Sequence, residues 1–397
     1  MRIALLTAHF APDAAPSAMI ATRLADSLAR RGHEILVGAA PPSYRPTAEL
    51  TGPLEARVIV RRSRAAKTRF RTYANYHLAV ITWSSWLRQA DVILSISPPI
   101  SLGTLSALIG TGKPTVYNVQ DVLAEFLRQT GKVRNRAALQ LLEGIERFTY
   151  ARTSAIATVG EAQRRFLITK GVPASKIVTI ENFADVDSIS PREVDREYRR
   201  VMGISSDAFC LLYAGNFGLV NDLDVLIATA DALSSRPDIV LVFAGGGREW
   251  SRAEELAKGR RNIVLVGHRP IAELPRLYAA ANVGLVTLKA GLSSCSVPSK
   301  VYTILASGRP FVATIDPDSD IVSIARRSAA GIAVGPGDAD GLASAILELA
   351  ANPFRVLQMG ASGHRYVLDN NTSSVIARRY ESLFEGVIQR NAAIPSA

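Results

Sequence analysis

Cysteine is scarce in this 397-residue chain: Cys210 and Cys295 are the only two. Two thiols exclude a disulfide framework and any multi-cysteine metal site, and point to a cytosolic compartment. Cys210 lies in the strand-like run Phe209-Cys210-Leu211-Leu212-Tyr213 and reads as a core residue. No run of about 18 apolar residues occurs, so no membrane-crossing helix is expected. The opening Met1-Arg2-Ile3-Ala4-Leu5-Leu6 reads as a short strand with no small-residue cleavage site, so no signal peptide is expected either. Acidic residues are missing from 57–71, where seven cations fall within fifteen residues.

What is present suits a globular enzyme. Hydrophobic residues make up 48% of the chain and charges of both signs are interspersed, which excludes disordered and fibrous classes. The length suggests two domains, each able to bury its own core. The net charge of +11 is unevenly placed. Residues 1–182 hold 24 Lys+Arg against 12 Asp+Glu, whereas 183–397 hold 22 against 23. An anionic partner is therefore expected for the N-terminal half.

Both halves alternate strand-like and helix-like segments, the pattern of a parallel sheet covered on both faces. Strands are expected at 2–7, 34–40, 58–60, 92–96, 115–119 and 155–159, with helices at 17–31, 70–89, 101–110, 135–151 and 160–170. The second half predicts strands at 210–214, 239–244, 263–267, 283–288, 311–315 and 332–334. Its helices are expected at 222–235, 248–259, 271–281, 299–307, 319–327 and 338–351. The turn-rich link Ile180–Asp187 marks the boundary. The fold class is α/β: two doubly wound Rossmann-like domains, 1–183 and 184–372, facing a central cleft, with a terminal helix 373–390 packing back on the first. Ligands of such sheets bind beyond the carboxyl ends of the strands.

The densest signal is Ser296-Val297-Pro298-Ser299-Lys300-Val301-Tyr302, running to Gly308-Arg309-Pro310. Pro298 favours a helix start, whose free amides attract a diphosphate, and Lys300 adds a positive charge read as solvent-exposed. An ordinary loop–helix–strand passage explains the same residues. Other strand ends carry Tyr213-Ala214-Gly215-Asn216-Phe217-Gly218, Phe243-Ala244-Gly245-Gly246-Gly247 and Val266-Gly267-His268-Arg269, where glycine lets a phosphate approach the backbone. In the first half, Pro12, Ala15, Pro16 and Ser17 follow the first strand, as a stiff connection or as room for a ligand. Asp121, after strand 115–119, either acts on an acceptor as orienter or base, or caps the next helix.

In their order and spacing these segments resemble the retaining GT-B glycosyltransferases of family 4 over nearly the whole chain. Val-Gln-Asp at 119–121 and Val-Pro-Ser-Lys at 297–300 resemble the subgroup that builds bacterial surface polysaccharides of the colanic-acid and O-antigen kind. The resemblance implies sugar transfer with retention. It implies a nucleotide-sugar donor, UDP-sugar foremost, held as substrate by the C-terminal half. The acceptor would be a lipid-linked or oligosaccharide molecule on the N-terminal half, and no cofactor is expected. Donor contacts would fall on Gly215, Asn216, Gly245, Gly246, Gly247, His268, Arg269, Val297, Pro298, Ser299 and Thr303. Catalytic roles would fall on Lys300, Asp121 and Gln120, and the acceptor-side loop on Pro12, Ala15, Pro16 and Ser17. The chain departs from the family where Thr303 and Cys295 replace glutamates, where Asn216 and Asn221 replace cations, and where Gln120 replaces a histidine. Two rivals remain open: an epimerase on the same fold, and a non-catalytic partner in polysaccharide assembly.

Asp185/Asp187, Asp222/Asp224 and Asp316/Asp318/Asp320 resemble metal-binding pairs, but each falls at a linker, helix start or turn where aspartate caps backbone amides, so no metal is expected. The cations Arg57, Arg61, Arg62, Arg64, Lys67, Arg69 and Arg71 precede a helix bearing Tyr73, Tyr76, Trp83 and Trp86. Basic residues beside an aromatic amphipathic helix suit an anionic membrane surface, here the inner face of the cell membrane. Arg61, Arg62, Arg64 and Lys67 are the expected patch; a solvated charge run is the plainer reading. No nucleic-acid module accompanies these charges, and nucleic acid is not the expected partner.

Overall fold

In unit 1, β1 (Arg2–Thr7), β2 (Glu34–Ala39), β4 (Val92–Ile96), β5 (Thr115–Val119) and β6 (Ala155–Thr158) are short apolar runs buried along nearly their whole length, as strands covered on both faces must be. They are described in a computed structural model covering residues 1–13, 15–43, 54–110 and 112–393. Edge strands β3 (Val58–Arg62) and β7 (Ile177–Thr179) complete a parallel sheet of order β3-β2-β1-β4-β5-β6-β7. Its helices are α1 (Pro16–Arg30), α2 (Arg69–Thr82), α3 (Ser84–Leu87), α4 (Ser101–Ile109), α5 (Leu123–Gln129), α6 (Arg136–Arg152) and α7 (Glu161–Thr169).

Unit 2 repeats the plan. It holds α8 (Arg196–Val201), β8 (Phe209–Asn216), α9 (Leu223–Ala232), β9 (Ile239–Gly246), α10 (Trp250–Ala257) and β10 (Ile263–Gly267). There follow α11 (Leu274–Ala280), β11 (Val283–Thr287), α12 (Lys300–Ala306), β12 (Phe311–Thr314), α13 (Asp320–Ser328), β13 (Gly331–Val334), α14 (Ala339–Ala350) and α15 (Pro353–Asn370). The parallel sheet runs β10-β9-β8-β11-β12-β13. Each order reverses once, between β1 and β4 and between β8 and β11, which gives each sheet one switch point. The expected doubly wound α/β architecture is therefore present in both units.

The chain divides as Met1–Asn182 with the segment from Ser373, and Phe183–Thr372. The last helix, α16 (Ser373–Ala392), packs on α1 of unit 1. Its Ile376, Ala377, Tyr380, Leu383, Phe384 and Val387 are buried at helical spacing. Glu381 pairs with Arg31 and His33, and the Asn118 amide donates to the Tyr380 hydroxyl at 2.8 Å. The link Ile180–Asp187 is not an open turn: Phe183 and Ala184 are buried, and Ala184 bridges to Thr372.

Three expectations change. The single helix over 70–89 breaks at Trp83, where the backbone leaves helical geometry at φ −84, ψ 2, so that Trp83 and Trp86 pack edge to face at 6.3 Å. Helices α8 and α15 and strand β7 were not anticipated, and α5 only as a helix following Asp121. In α8 the pattern is masked by charge, because Arg199 is buried and donates to the Ala280, Ser206 and Ala208 carbonyls. Strands β8 and β9 run past their apolar residues into the glycines, pairing Gly215 with Gly245 and Asn216 with Gly246.

Candidate functional site

In unit 2, β8 ends in Gly215-Asn216 and β9 in Gly245-Gly246. Gly215 and Gly245 have φ of 125° and 140°, and a side chain on Gly245 would overlap the Gly215 carbonyl. One on Gly247 would overlap the Asn216 side chain, which also lies against Gly218. Asn221 donates to the Asn216 carbonyl at 2.7 Å. The two asparagines thus fasten the turn after β8, where the resemblance implied cations. Gly246 has open space around it.

Lys300 starts α12 and reaches this turn: its Cε and Nζ lie 3.8 Å from the point where a Gly215 side chain would begin. The residue is half-buried, yet its ammonium is closed off from solvent and has no hydrogen-bond partner among the described residues. Nζ sits 3.5 Å from the centroid of the Tyr213 ring. Burial pushes its pKa down to about 7. This corrects the expectation of an exposed cation.

The helix start also differs from expectation. Ser299 is the N-cap but already has helical backbone angles, and makes no side-chain cap. The Val301 and Tyr302 amides bond back to the Pro298 and Ser299 carbonyls at 3.3 and 3.1 Å, so fewer amides are open to an anion. Thr303 lies one turn on, on the same half-buried face as Lys300, between buried Tyr302 and Ile304. Val297 and Pro298 are half-buried beside it, and Cys295 is fully buried with its thiol directed to the Leu292 carbonyl. His268 is exposed after β10, and Arg269 lies 3.8 Å from Glu273, with its Nε buried and without a hydrogen-bond partner among the described residues.

In unit 1 the loop after β1 is organised by a residue that sequence reading passed over. Asp13 is fully buried and accepts from the His9 ring at 2.7 Å, from the Ala15 amide and from the Ser43 amide and hydroxyl. The i,i+4 spacing of His9 and Asp13 was the available signal. Ala15 is the buried N-cap of α1, Pro16 opens the helix, and Pro12 and Ser17 are half-buried beside it. His9 and Ser43 line a cavity of about 230 Å³ with Pro42, Lys67, Thr72 and Tyr73, at the carboxyl ends of β1, β2 and β3.

Gln120 is held in place. Its side chain donates to Asn118 at 2.6 Å and accepts from Asn182 at 2.9 Å, while its carbonyl takes the Gln163 amide at 3.1 Å. Those three bonds fix the orientation of Gln120. Val122 rather than Asp121 is the N-cap residue of α5, and Glu146 reaches across to accept from the Ala124 amide.

Of the basic patch, Arg62 is withdrawn. It donates to the Phe10, Ala11 and Ala40 carbonyls and lies against the Phe10 ring, with burial lowering its pKa. Arg61 stacks on Trp86 at 4.5 Å and stays exposed with Arg64 and Lys67. The aromatics are the other correction. Tyr76 and Trp86 are buried, with Tyr73 and Trp83 packed on the same cluster. The exposed apolar residues of α2 are Phe70, Leu78 and Ile81. Among the described residues no helix is long and apolar enough to cross a membrane.

The aspartates have local work. Asp222 caps α9 through Val225, Asp224 pairs with Arg252, and Asp316 accepts from Gly291 and Ser293. Asp185 accepts from Ser188.

Residues 17–182 match the glycosyl transferase 4-like domain and 208–352 the glycosyl transferases group 1. The chain is 25% identical over 348 residues to WcaI of Escherichia coli K12, named as a colanic acid biosynthesis glycosyl transferase, covering 81% of this chain and 85% of that one. It is 26% identical over 303 residues to the glycosyltransferase WbjE of Pseudomonas aeruginosa, covering 74% of each. The fold matches HepE of Anabaena, crystallised with UDP, at a TM-score of 0.75 and 15% identity over 97% of this chain and all of that one. With both sheets, both domain matches and these relatives in agreement, the chain carries a glycosyl transferase 4-like domain and a glycosyl transferases group 1 domain, and is a glycosyltransferase enzyme of GT-B fold.

Proposed function

We propose that this enzyme moves a sugar from a UDP-sugar to a lipid-linked or saccharide acceptor, with retention, in the assembly of a cell-surface polysaccharide. The observation that carries the donor half is Lys300: a buried ammonium with unfilled donors beside the glycine turn at the switch point of unit 2. HepE, of like fold, is crystallised with UDP and with UDP-glucose. When the glycosidic bond breaks, charge builds on the departing diphosphate, and a preorganised cation in a dry site stabilises it strongly. Gly215 and Gly246 leave the backbone open to the phosphates, and Thr303 offers a hydroxyl one turn from Lys300.

The acceptor half rests on the unit 1 cavity. Lys67 supplies a charge for a phosphate, while Ser43, Thr72 and the Asp13-oriented His9 supply groups for sugar hydroxyls. Next to Lys67, Phe70 stands 83% exposed on α2 with Leu78 and Ile81 about two and three turns further along, an apolar strip flanked by Arg64 and Arg71. Such a strip suits the surface of an anionic membrane.

Calorimetry of UDP with wild type and Lys300→Ala tests the donor half; equal affinities would overturn it. Proton NMR of the transferred sugar then reads the anomeric configuration, and an inverted product would overturn retention.

A further inference from the structure

Lys300 rests in an unusual place. Its ammonium has three donors and no acceptor among the described residues, and lies over an aromatic face at 3.5 Å. The face belongs to Tyr213, fully buried and wedged edge-on between Phe217 at 4.7 Å and Phe243 at 6.4 Å. The Tyr213 hydroxyl leans on the Asn216 carbonyl at 3.4 Å, so the ring is locked to the turn beside Gly215. A ring face attracts a cation but satisfies none of its hydrogen bonds. Such an ammonium is held near its target without being committed to another partner.

We infer that Tyr213 is a positioning residue: its ring packs the Lys300 side chain beside the Gly215 turn and favours the charged form of its amine, and arrival of the donor diphosphate draws a proton onto that amine. This rests on the reading that the diphosphate binds at Lys300.

The groups facing the amine bring no compensating charge. From β8, Tyr213 is kept neutral because burial pushes its phenol far up. Asn216 and Asn221, in the turn after β8, and Thr303, on α12, do not ionise. Burial is the one cause acting on Lys300 among the described residues, and it brings the pKa down to about 7. Above that pH the empty site holds mostly the neutral amine. A diphosphate replaces the lost solvation with negative oxygens, so the amine takes one proton from solvent and donates to them. Below pH 7 the proton is already present. Donor affinity is therefore highest near and below pH 7 and falls above it, up to about tenfold per pH unit.

The test is calorimetry of UDP at pH 7, 8 and 9 in two buffers of different ionisation enthalpy. Phosphate groups of this kind titrate near pH 6, so UDP itself changes little over that range. Wild type should take up close to one proton per UDP at pH 8 to 9, with affinity falling as stated. Tyr213→Leu removes the face that favours the charged form. Its affinity decline should begin about one pH unit lower, so that UDP binds about tenfold more weakly at pH 8. Tyr213→Phe keeps the face and should keep the wild-type profile. If Tyr213→Leu does not fold, Tyr213→Phe with a fluorinated ring weakens the face at nearly unchanged shape and should move the profile the same way. Absence of proton uptake by wild type, or a profile indifferent to the ring, overturns the inference. Lys300→Ala separates it from the reading beneath. Should that variant bind UDP as tightly as wild type, the diphosphate is not at Lys300. Should it bind weakly without pH dependence while the ring variants match wild type, the site stands and the role of Tyr213 falls.

Discussion

Gly215 and Gly245 face each other at the ends of β8 and β9, and the carbonyl oxygen of Gly215 occupies the space that a side chain on Gly245 would need. Both have positive φ, which other residues adopt only under strain. The close approach is between two backbones, which cannot move aside as a flexible side chain would.

Gly245→Ala should therefore lower stability by about 2 kcal/mol or more, from overlap and backbone strain together. Gly246→Ala is the matched control, since nothing lies within 4 Å of its added methyl. It should melt within about 0.5 kcal/mol of wild type. Any defect of Gly246→Ala should appear in UDP affinity alone. Thermal melts and UDP titration of both variants decide it, and equal melts would show that the strand ends can part.

Lys300 makes a prediction of opposite sign for stability and for rate. A free lysine titrates near 10.4, and burial brings this one to about 7. Between those values the unfolded chain binds more protons than the folded one, so stability rises with pH across that window. Lys300→Met removes the titration. The empty variant should melt a few degrees above wild type at pH 7, with the gap closing toward pH 10. Its turnover should fall by about 10²-fold or more, the scale of losing one preorganised donor. Normal turnover with an unchanged melt would remove Lys300 from the mechanism.

The strand positions and the glycine-bearing strand ends were legible because parallel strands buried on both faces read as continuous apolar runs. What escaped the sequence is what depends on partners far along the chain. Tyr213 looked like one more core residue of β8, and only its contact with Lys300, across nearly ninety residues, gives it a role. Arg62 and Arg199 looked solvated for the same reason: the carbonyls they serve lie on other elements. Helix α2 was read with its apolar face reversed. Tyr76 and Trp86 have apolar partners on the sheet side, whereas Phe70, Leu78 and Ile81 are left outside.

The aspartate pairs give a prediction about metals. Asp222, Asp224 and Asp316 each serve a backbone amide, a hydroxyl or an arginine, and a divalent ion would have to displace those partners. Transfer activity should persist in excess EDTA. Loss of turnover in the chelator, restored by Mg²⁺ or Mn²⁺, would show that one of these groups is a ligand in the working enzyme.

The basic segment separates a docking role from a folding role by which arginine is changed. Arg61, Arg64 and Lys67 are exposed and should act on a membrane through charge alone, at about 1 kcal/mol each near an anionic surface. Replacing these three with Ser should weaken sedimentation with phosphatidylserine vesicles, and added salt should mimic the change. Phe70→Ser with Leu78→Ser should weaken it too, but without the salt dependence, because the lost contribution is apolar. Arg62→Ser should behave differently from both. Its guanidinium ties the Phe10, Ala11 and Ala40 carbonyls together beside Asp13, so its loss leaves buried acceptors unfilled and should cost about 1–3 kcal/mol of stability. Vesicle binding of folded Arg62→Ser should match wild type. If all three sets of variants sediment alike, the segment does not dock on membranes, and the positive charge of unit 1 serves the acceptor instead.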